Sequence, residues 1–178
     1  MYSQMKNSRL IDDGKKSWEW ACSHMGIINE IVNQNINNKP LKGLRLGLSL
    51  HVTKETSVLV IAATKLGSKI VLCSANPLSV QEDIAAFLSS EGVNVFAWKD
   101  ETKKEYLDNL RQVLEYHPQI LTDDGSNLHV MAHKKKNQGI LGGTEETTSG
   151  ITRLKALEVQ GKLRYPVIGV NEARTKHL

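Results

Sequence analysis

The chain has 178 residues, of which 40% are hydrophobic and 24% charged, and carries a net charge of +4 at pH 7. That length suits one domain with a proper core, and the composition is that of a globular protein, not a disordered or fibrous one. The positive charge is dispersed and aromatic residues make up only 5%, which argues against a base-stacking nucleic-acid surface.

In chain order, the amino-terminal MYSQMKNSRL lacks the apolar core of a signal peptide. Residues 8–36 place Ile11, Trp18, Ala21, Met25, Ile28 and Val32 mostly at three- and four-residue spacings, which predicts one amphipathic helix. LRLGLSL at 44–50 is a strand, Thr53 can cap a helix through 57–66, and Gly67 closes it. KIVLC at 69–73 is the second strand. Ser79 and Glu82 have capping-box spacing and open a helix ending near Gly92. VNVFAW at 93–98 is a third strand, and Thr102 with Glu105 opens a helix to about Tyr116. QILT at 119–122 and GILGG at 139–143 are the fourth and fifth strands; between them the run HKKK at 133–136 reads as a solvated loop, not a phosphate-binding patch. A helix at 151–160 ends at Gly161, and PVIGV at 166–170 is the sixth strand.

Strands alternating with helices predict a single α/β domain, with a mostly parallel sheet covered on both faces and preceded by an N-terminal helix. The longest apolar stretch, VLVIAA at 58–63, is too short to span a bilayer. Cys22 and Cys73 have no metal-ligand spacing and read as small buried residues in a reducing compartment. The expected location is cytoplasmic, with no membrane and no nucleic acid as partner.

Open α/β sheets bind ligands beyond the carboxyl ends of their strands. His51, Thr53 and Glu55 follow the first strand, and Asn76 and Ser79 the second. Asp123, Asp124 and Gly125 follow the fourth, Glu145, Glu146, Thr147, Thr148 and Ser149 the fifth, and Asn171, Glu172 and Lys176 the sixth. Carboxylates gathered at one sheet edge suit the hydroxyls of a sugar. One hydroxyl of EETTS suffices for a helix cap, which leaves two acids and two hydroxyls unexplained; Asp123, Asp124 and Gly125 fit either a plain turn or a site. No G-x-G-x-x-G follows any strand, no P-loop or G-x-S-x-G occurs, and the six histidines show no metal-ligand spacing.

HVTKETSVL (51–59), SANPLSVQED (74–83), VFAWKDETKKEY (95–106), ILTDDGSNL (120–128), EETTSGITRL (145–154) and PVIGVNEARTKHL (166–178) come in this order across almost the whole chain. Together they resemble the substrate-binding domain of the adenosylhomocysteinase (S-adenosylhomocysteine hydrolase) family, closest to its shorter archaeal-type members. The resemblance implies a Rossmann-like or flavodoxin-like sheet and a reversible hydrolysis of S-adenosylhomocysteine to adenosine and homocysteine. In that family a tightly bound NAD oxidises the ribose 3′-hydroxyl, the neighbouring 4′ proton becomes acidic, homocysteine leaves and water adds. By resemblance, Thr53 and Glu55 hold the adenine, Asp124 sits by the reacting sugar carbons and His51 by the leaving group. Glu146 and Lys176, with Asn171 beside them, face the ribose hydroxyls, and Thr147, Thr148 and Ser149 reach toward NAD. Asn127 stands where the family usually has Asp, Ser149 where it has a third threonine, and Glu172 where it has Asp.

The family chain continues past TKHL into an Asp-Asn pair, a Rossmann domain with the glycine fingerprint that holds most of the NAD, and a C-terminal segment. Residues 1–178 are therefore expected to be a substrate-binding domain, inactive alone, of an enzyme that is a homotetramer at full length. The competing expectation is a non-catalytic module that binds adenosine or S-adenosylhomocysteine.

Overall fold

The computed structural model describes residues 8–135 and 139–176. Its first elements are α1 (Ser8–His24) and α2 (Gly26–Asn35), where the periodicity predicts one helix. The chain turns at Met25, whose backbone is not helical (φ −110°, ψ 55°). Asn29 secures the corner: its amide donates to the Cys22 carbonyl at 2.7 Å and its side-chain oxygen lies 3.2 Å from the Cys22 sulfur.

The alternating unit follows as β1 (Arg45–Leu50), α3 (Lys54–Lys65), β2 (Lys69–Ser74), α4 (Glu82–Ser90), β3 (Asn94–Phe96), α5 (Lys103–Glu115), β4 (Ile120–Asp123), α6 (Asn127–Lys135), β5 (Gly142–Glu145), α7 (Thr148–Val159) and β6 (Val167–Gly169). The described strands form one parallel six-stranded sheet in the order β3-β2-β1-β4-β5-β6. Side chains alternate across the pleat. Leu46, Leu48 and Leu50 of β1, with Ile70 and Leu72 of β2, therefore pack under α3 and α4. Val71 and Cys73 point the other way, into a second cluster with Leu110, Val113 and Leu114 of α5 and Leu128 and Ala132 of α6.

Three local expectations fail for physical reasons. Ser79 does not cap α4: it lies in a 3-10 turn (Pro77–Ser79), and the N-cap is Gln81, which makes no side-chain cap bond. The Gln81 side chain serves α3 instead, accepting from Lys54 N at 3.0 Å, while Glu82 and Asp83 supply negative charge to the first turn of α4. The fifth strand is GGTE, not GILGG, because Gly139 turns the chain at φ +88° and Leu141 stays exposed. Helix α6 occupies the stretch read as a loop: its buried face is Leu128, His129, Ala132 and His133, two of them histidines that do not register as apolar. Lys134 and Lys135 are exposed on its last turn, and Lys136 lies outside the described residues.

Helix α1 lies across α4 at close range. A Cβ on Gly14 would stand 2.0 Å from the Asp83 carbonyl oxygen and 2.8 Å from Phe87 Cβ. Backbone cannot give way as a side chain can. Gly14→Ala is expected to destabilise the protein by about 2 kcal/mol in urea melts despite alanine's better helix propensity; unchanged stability would mean that α1 is not seated on α4 in this way.

Candidate active site

Strands β1 and β4 are neighbours, but β1 leads on to β2 on one side and β4 to β5 on the other. The connections diverge, which opens a crevice at their carboxyl ends. His51 and Asp124 each stand one residue past their strand, on either side of this crevice, with His51 Nε2 3.4 Å from Asp124 Oδ2. Both side chains are partly open to solvent.

The other nitrogen of His51 is held from below. His51 Nδ1 lies 2.5 Å from Ser79 Oγ, and Ser79 Oγ donates to the Asn76 carbonyl at 2.8 Å. A hydroxyl has one proton; with that proton on Asn76, Ser79 accepts from Nδ1–H. The imidazole is thus oriented with Nε2 toward Asp124 as the atom that can take or release a proton. Asn76 and Ser79 stand in the segment after β2 that the sequence marks as polar, but nothing in their spacing ties them to His51.

The loop after β4 is built on two left-handed residues, Gly125 at φ +94° and Ser126 at φ +60°. Asp124 N donates to the Ser49 carbonyl at 3.0 Å and lies 2.9 Å from Asp123 Oδ1. On the next strand Glu146 is half-buried and its N–H donates to the Asp123 carbonyl at 3.0 Å. Asn171 donates from Nδ2 to Thr148 Oγ1 at 2.6 Å, which ties the turn after β6 to the start of α7. Lys176 ends a 3-10 turn (Arg174–Lys176) that follows the one holding Asn171; its side chain lies outside the described residues. Thr53 caps α3 by a long contact, 3.5 Å from Thr56 N, and Glu55 is exposed on the first turn of that helix.

The hydroxyl triplet divides. Thr147 is the N-cap of α7, accepting from Gly150 N at 3.0 Å, and donates its proton inward to Glu145 Oε1 at 2.8 Å. Thr148 and Ser149 are exposed. Thr148 Oγ1 accepts from Asn171 and Ser149 Oγ donates to Thr147 Oγ1 at 3.3 Å, and each oxygen keeps room for a further bond; Thr147, with its proton on Glu145 and its oxygen accepting from Gly150 N and Ser149 Oγ, has none left.

Beneath the loops lies a buried polar layer. Glu145 is wholly buried and accepts from Gly125 N (2.7 Å), Ser126 Oγ (2.8 Å), Thr147 N (3.0 Å) and Thr147 Oγ1. Asp123, its partner across the strand pair, is equally buried and also accepts from His129 N at 2.9 Å. Burial, reinforced by the Glu145 charge, pushes the Asp123 carboxyl up to about 7. Burial holds His129 below the ordinary histidine value. Its Nε2 donates to the Thr144 carbonyl at 3.1 Å and its Nδ1 faces the Tyr165 hydroxyl at 3.1 Å. Oxygen and nitrogen atoms of Asp123, His129 and Glu145 lie within 4.8 Å of one another, the spacing of a metal site. Each is already committed to protein hydrogen bonds, so the trio reads as scaffold and not as a ligand set.

A family-wide sequence profile described as S-adenosyl-L-homocysteine hydrolase matches residues 2–141. The chain belongs to this family. It is 52% identical over 176 residues to the adenosylhomocysteinase of Sulfurisphaera tokodaii, covering 98% of this chain and 42% of that protein. It is 46% identical over 181 residues to that of Saccharolobus solfataricus, covering 100% of this chain and 43% of the relative. It is also 41% identical over 178 residues to an S-inosyl-L-homocysteine hydrolase of Methanocaldococcus jannaschii, covering 98% and 43%. The chain thus spans less than half the length of the family members it matches. No described helix is long and apolar enough to cross a membrane.

The raised Asp123 carboxyl makes a signed prediction. Its folded value of about 7 stands above the ordinary 3.8, so the folded state holds a proton that the unfolded state has lost. That contribution is complete below about pH 4 and is lost as the pH rises through about 7. The unfolding free energy of the wild type minus that of Asp123→Asn is expected to fall across this window, by up to about 4 kcal/mol, and then level off. A pH-independent difference in denaturant melts would contradict the assignment.

Proposed function

We propose that this chain is the substrate-binding part of an enzyme that reversibly hydrolyses S-adenosyl-L-homocysteine to adenosine and homocysteine. The observation that carries the reading is the His51–Asp124 pair at the topological switch point, 3.4 Å apart. An oriented imidazole and a carboxylate are the two groups needed to move protons at adjacent sugar carbons. Asp124 is assigned to the 4′ proton and His51 to the departing thiolate. Glu146, one strand along, accepts from the ribose hydroxyls, and Asn171 and Lys176 complete that end. Thr53 and Glu55, after β1, hold the base at the opposite end.

NAD is the cofactor of this reading, held mainly by a domain beyond residues 1–178, and its chemistry is the reversible oxidation of the ribose 3′-hydroxyl. Thr148 and Ser149 are the residues of this chain that would meet it. Thr147 is withdrawn from that role, since its hydroxyl is spent on Gly150 and Glu145. The complete enzyme is taken to be a cytoplasmic homotetramer.

The relatives named for inosyl and adenosyl substrates raise a choice of base. A carboxylate only accepts hydrogen bonds. The exposed Glu55 therefore suits the 6-amino group of adenine and repels the 6-oxo group of hypoxanthine. Glu55→Gln, able to donate as well as accept, is expected to narrow the preference for adenosine over inosine about tenfold in equilibrium dialysis. A wild-type preference for inosine would reverse the substrate assignment.

Glu146→Gln is expected to weaken adenosine binding by roughly tenfold or more, because a charge-assisted hydrogen bond to the ribose is lost. Titration calorimetry on the two proteins decides it. An unchanged affinity would remove Glu146 from the ribose site and with it the main support for the sugar end of the reading.

A further inference from the structure

We infer that Glu145 is the positioning residue of this site: its buried carboxylate ties the loop after β4 to the loop after β5 and sets the separation of Asp124 from Glu146. The inference rests on the roles proposed above for those two acids.

Glu145 cannot touch a ligand, since it has no exposed surface. Its partners reveal what it does. A single oxygen, Oε1, accepts the N–H of Gly125 at 2.7 Å and the N–H of Thr147 at 3.0 Å. Gly125 is the residue immediately after Asp124, and Thr147 the residue immediately after Glu146. One atom therefore fixes the backbone beside each of the two acids. The second oxygen, Oε2, accepts from Ser126 Oγ at 2.8 Å, and Ser126 Oγ also lies 3.0 Å from the Gly150 carbonyl. These contacts hold Ser126 in a left-handed conformation that a non-glycine residue avoids.

The surroundings are shaped to this carboxylate. A Cβ on Gly150 would lie 2.1 Å from Glu145 Oε1, so the first turn of α7 closes directly over it. The strand register sets Asp123 opposite Glu145, and the two loops begin one residue later on neighbouring strands. Strands alone place the acids about one interstrand spacing apart, roughly 4.8 Å at the backbone. The shared oxygen then removes the freedom that each loop would have beyond its strand.

The role is geometric, and this separates it from an electrostatic one. Gln at 145 keeps the length and one acceptor oxygen for the same N–H groups, and its amide can donate to Ser126 Oγ while Ser126 donates to Gly150. Asp at 145 keeps the charge but withdraws it by one methylene, out of reach of one loop or the other.

The test compares adenosine with 2′,3′-dideoxyadenosine, which lacks the hydroxyls that Glu146, spaced from Asp124 by Glu145, is placed to meet. Affinities are measured by titration calorimetry on the full 178-residue chain. Glu145→Asp is expected to lose about tenfold of the preference for adenosine, with dideoxyadenosine binding unchanged, and Glu145→Gln to keep the preference within about threefold. Ser126→Ala, which removes the Oε2 donor and its contact with the Gly150 carbonyl but leaves both Oε1 bonds to the backbone, is expected to show a smaller loss of the same kind, and serves as the test should Glu145→Asp not fold. Equal weakening of both nucleosides would make Glu145 a purely structural residue and overturn the inference. So would the reverse ranking of Gln and Asp, or no effect in any variant. Glu146→Gln is the control for the underlying reading: a wild type with no preference for adenosine, or a preference that Glu146→Gln leaves intact, overturns the reading itself and the inference with it.

Discussion

A carboxylate taken out of water must find its hydrogen-bond donors inside the fold, or the fold does not form. Asp123 and Glu145 are both without exposed surface and stand opposite one another on β4 and β5. Their need for donors dictates the structure around them. The loop after β4 turns left-handed so that Gly125 N–H and the Ser126 hydroxyl point at Glu145. Thr147 caps α7 and, with its one proton, also serves Glu145. Residue 150 has to be glycine because α7 begins against the same carboxylate. His129 donates its backbone N–H to Asp123, which anchors the start of α6 beneath the sheet edge. The site above is assembled from groups whose backbones these two buried acids have already placed.

The topology supplies what the acids cannot. His51 and Asp124 are far apart in the chain and meet because β1 and β4 are adjacent while their connections leave in opposite directions. On the β1 side lie Thr53 and Glu55; beyond Asp124 the strands β5 and β6 carry Glu146 and Asn171. Neighbouring strands are about 4.8 Å apart, so groups from β1, β4, β5 and β6 form a row about 15 Å long. In the proposed reading the base lies at one end of that row and the ribose hydroxyls at the other, with the reacting carbons between His51 and Asp124.

Much of this was legible in the residues. Apolar runs of five or six, each followed by a capped amphipathic stretch, define β1, α3, β2 and α5 directly, because burial on both faces demands continuous apolar strands. Polar residues just past such runs mark the sheet edge where the candidate site lies, and they include His51 and Asp124, which the structure brings to 3.4 Å, and Glu146. What the pattern hid has physical causes. Helix α6 buries two histidines whose ring nitrogens are all satisfied, His133 by the His129 carbonyl and the Arg164 N–H; a hydropathy pattern scores them as polar. Strand β5 begins with two glycines, the second required because a Cβ on Gly143 would lie 2.4 Å from the His129 ring, so it looks like a turn. Ser79 has the spacing of a cap, but its hydroxyl is taken by His51. Asn127 answers a different local demand: its amide donates to the Tyr106 hydroxyl at 2.9 Å and its oxygen accepts from Arg153 at 2.9 Å, a pairing of donor and acceptor that an ionised Asp does not offer.

The segment EETTSG shows why a helix start and a binding site need not be alternatives. Successive residues leaving a strand point to opposite sides. Glu145 and Thr147 therefore turn inward together, where the acid meets its donors and the hydroxyl caps the helix, and Gly150 makes room for them. Glu146 is left half-buried between them, and Thr148 and Ser149 remain on the exposed first turn. From Glu145 to Thr148 the residues alternate between platform and surface; from Thr148 on the helix sets the pattern, with Ser149 outward and Gly150 inward. Capping accounts for Thr147; the strand's two faces account for Glu145 and Glu146, and the first turn of α7 for Thr148, Ser149 and Gly150. The same logic explains the two adjacent acids at the end of β4, where Asp123 faces the interior and Asp124 meets His51. In both pairs the first acid holds the loops from within, and in the proposed reading the second faces the substrate.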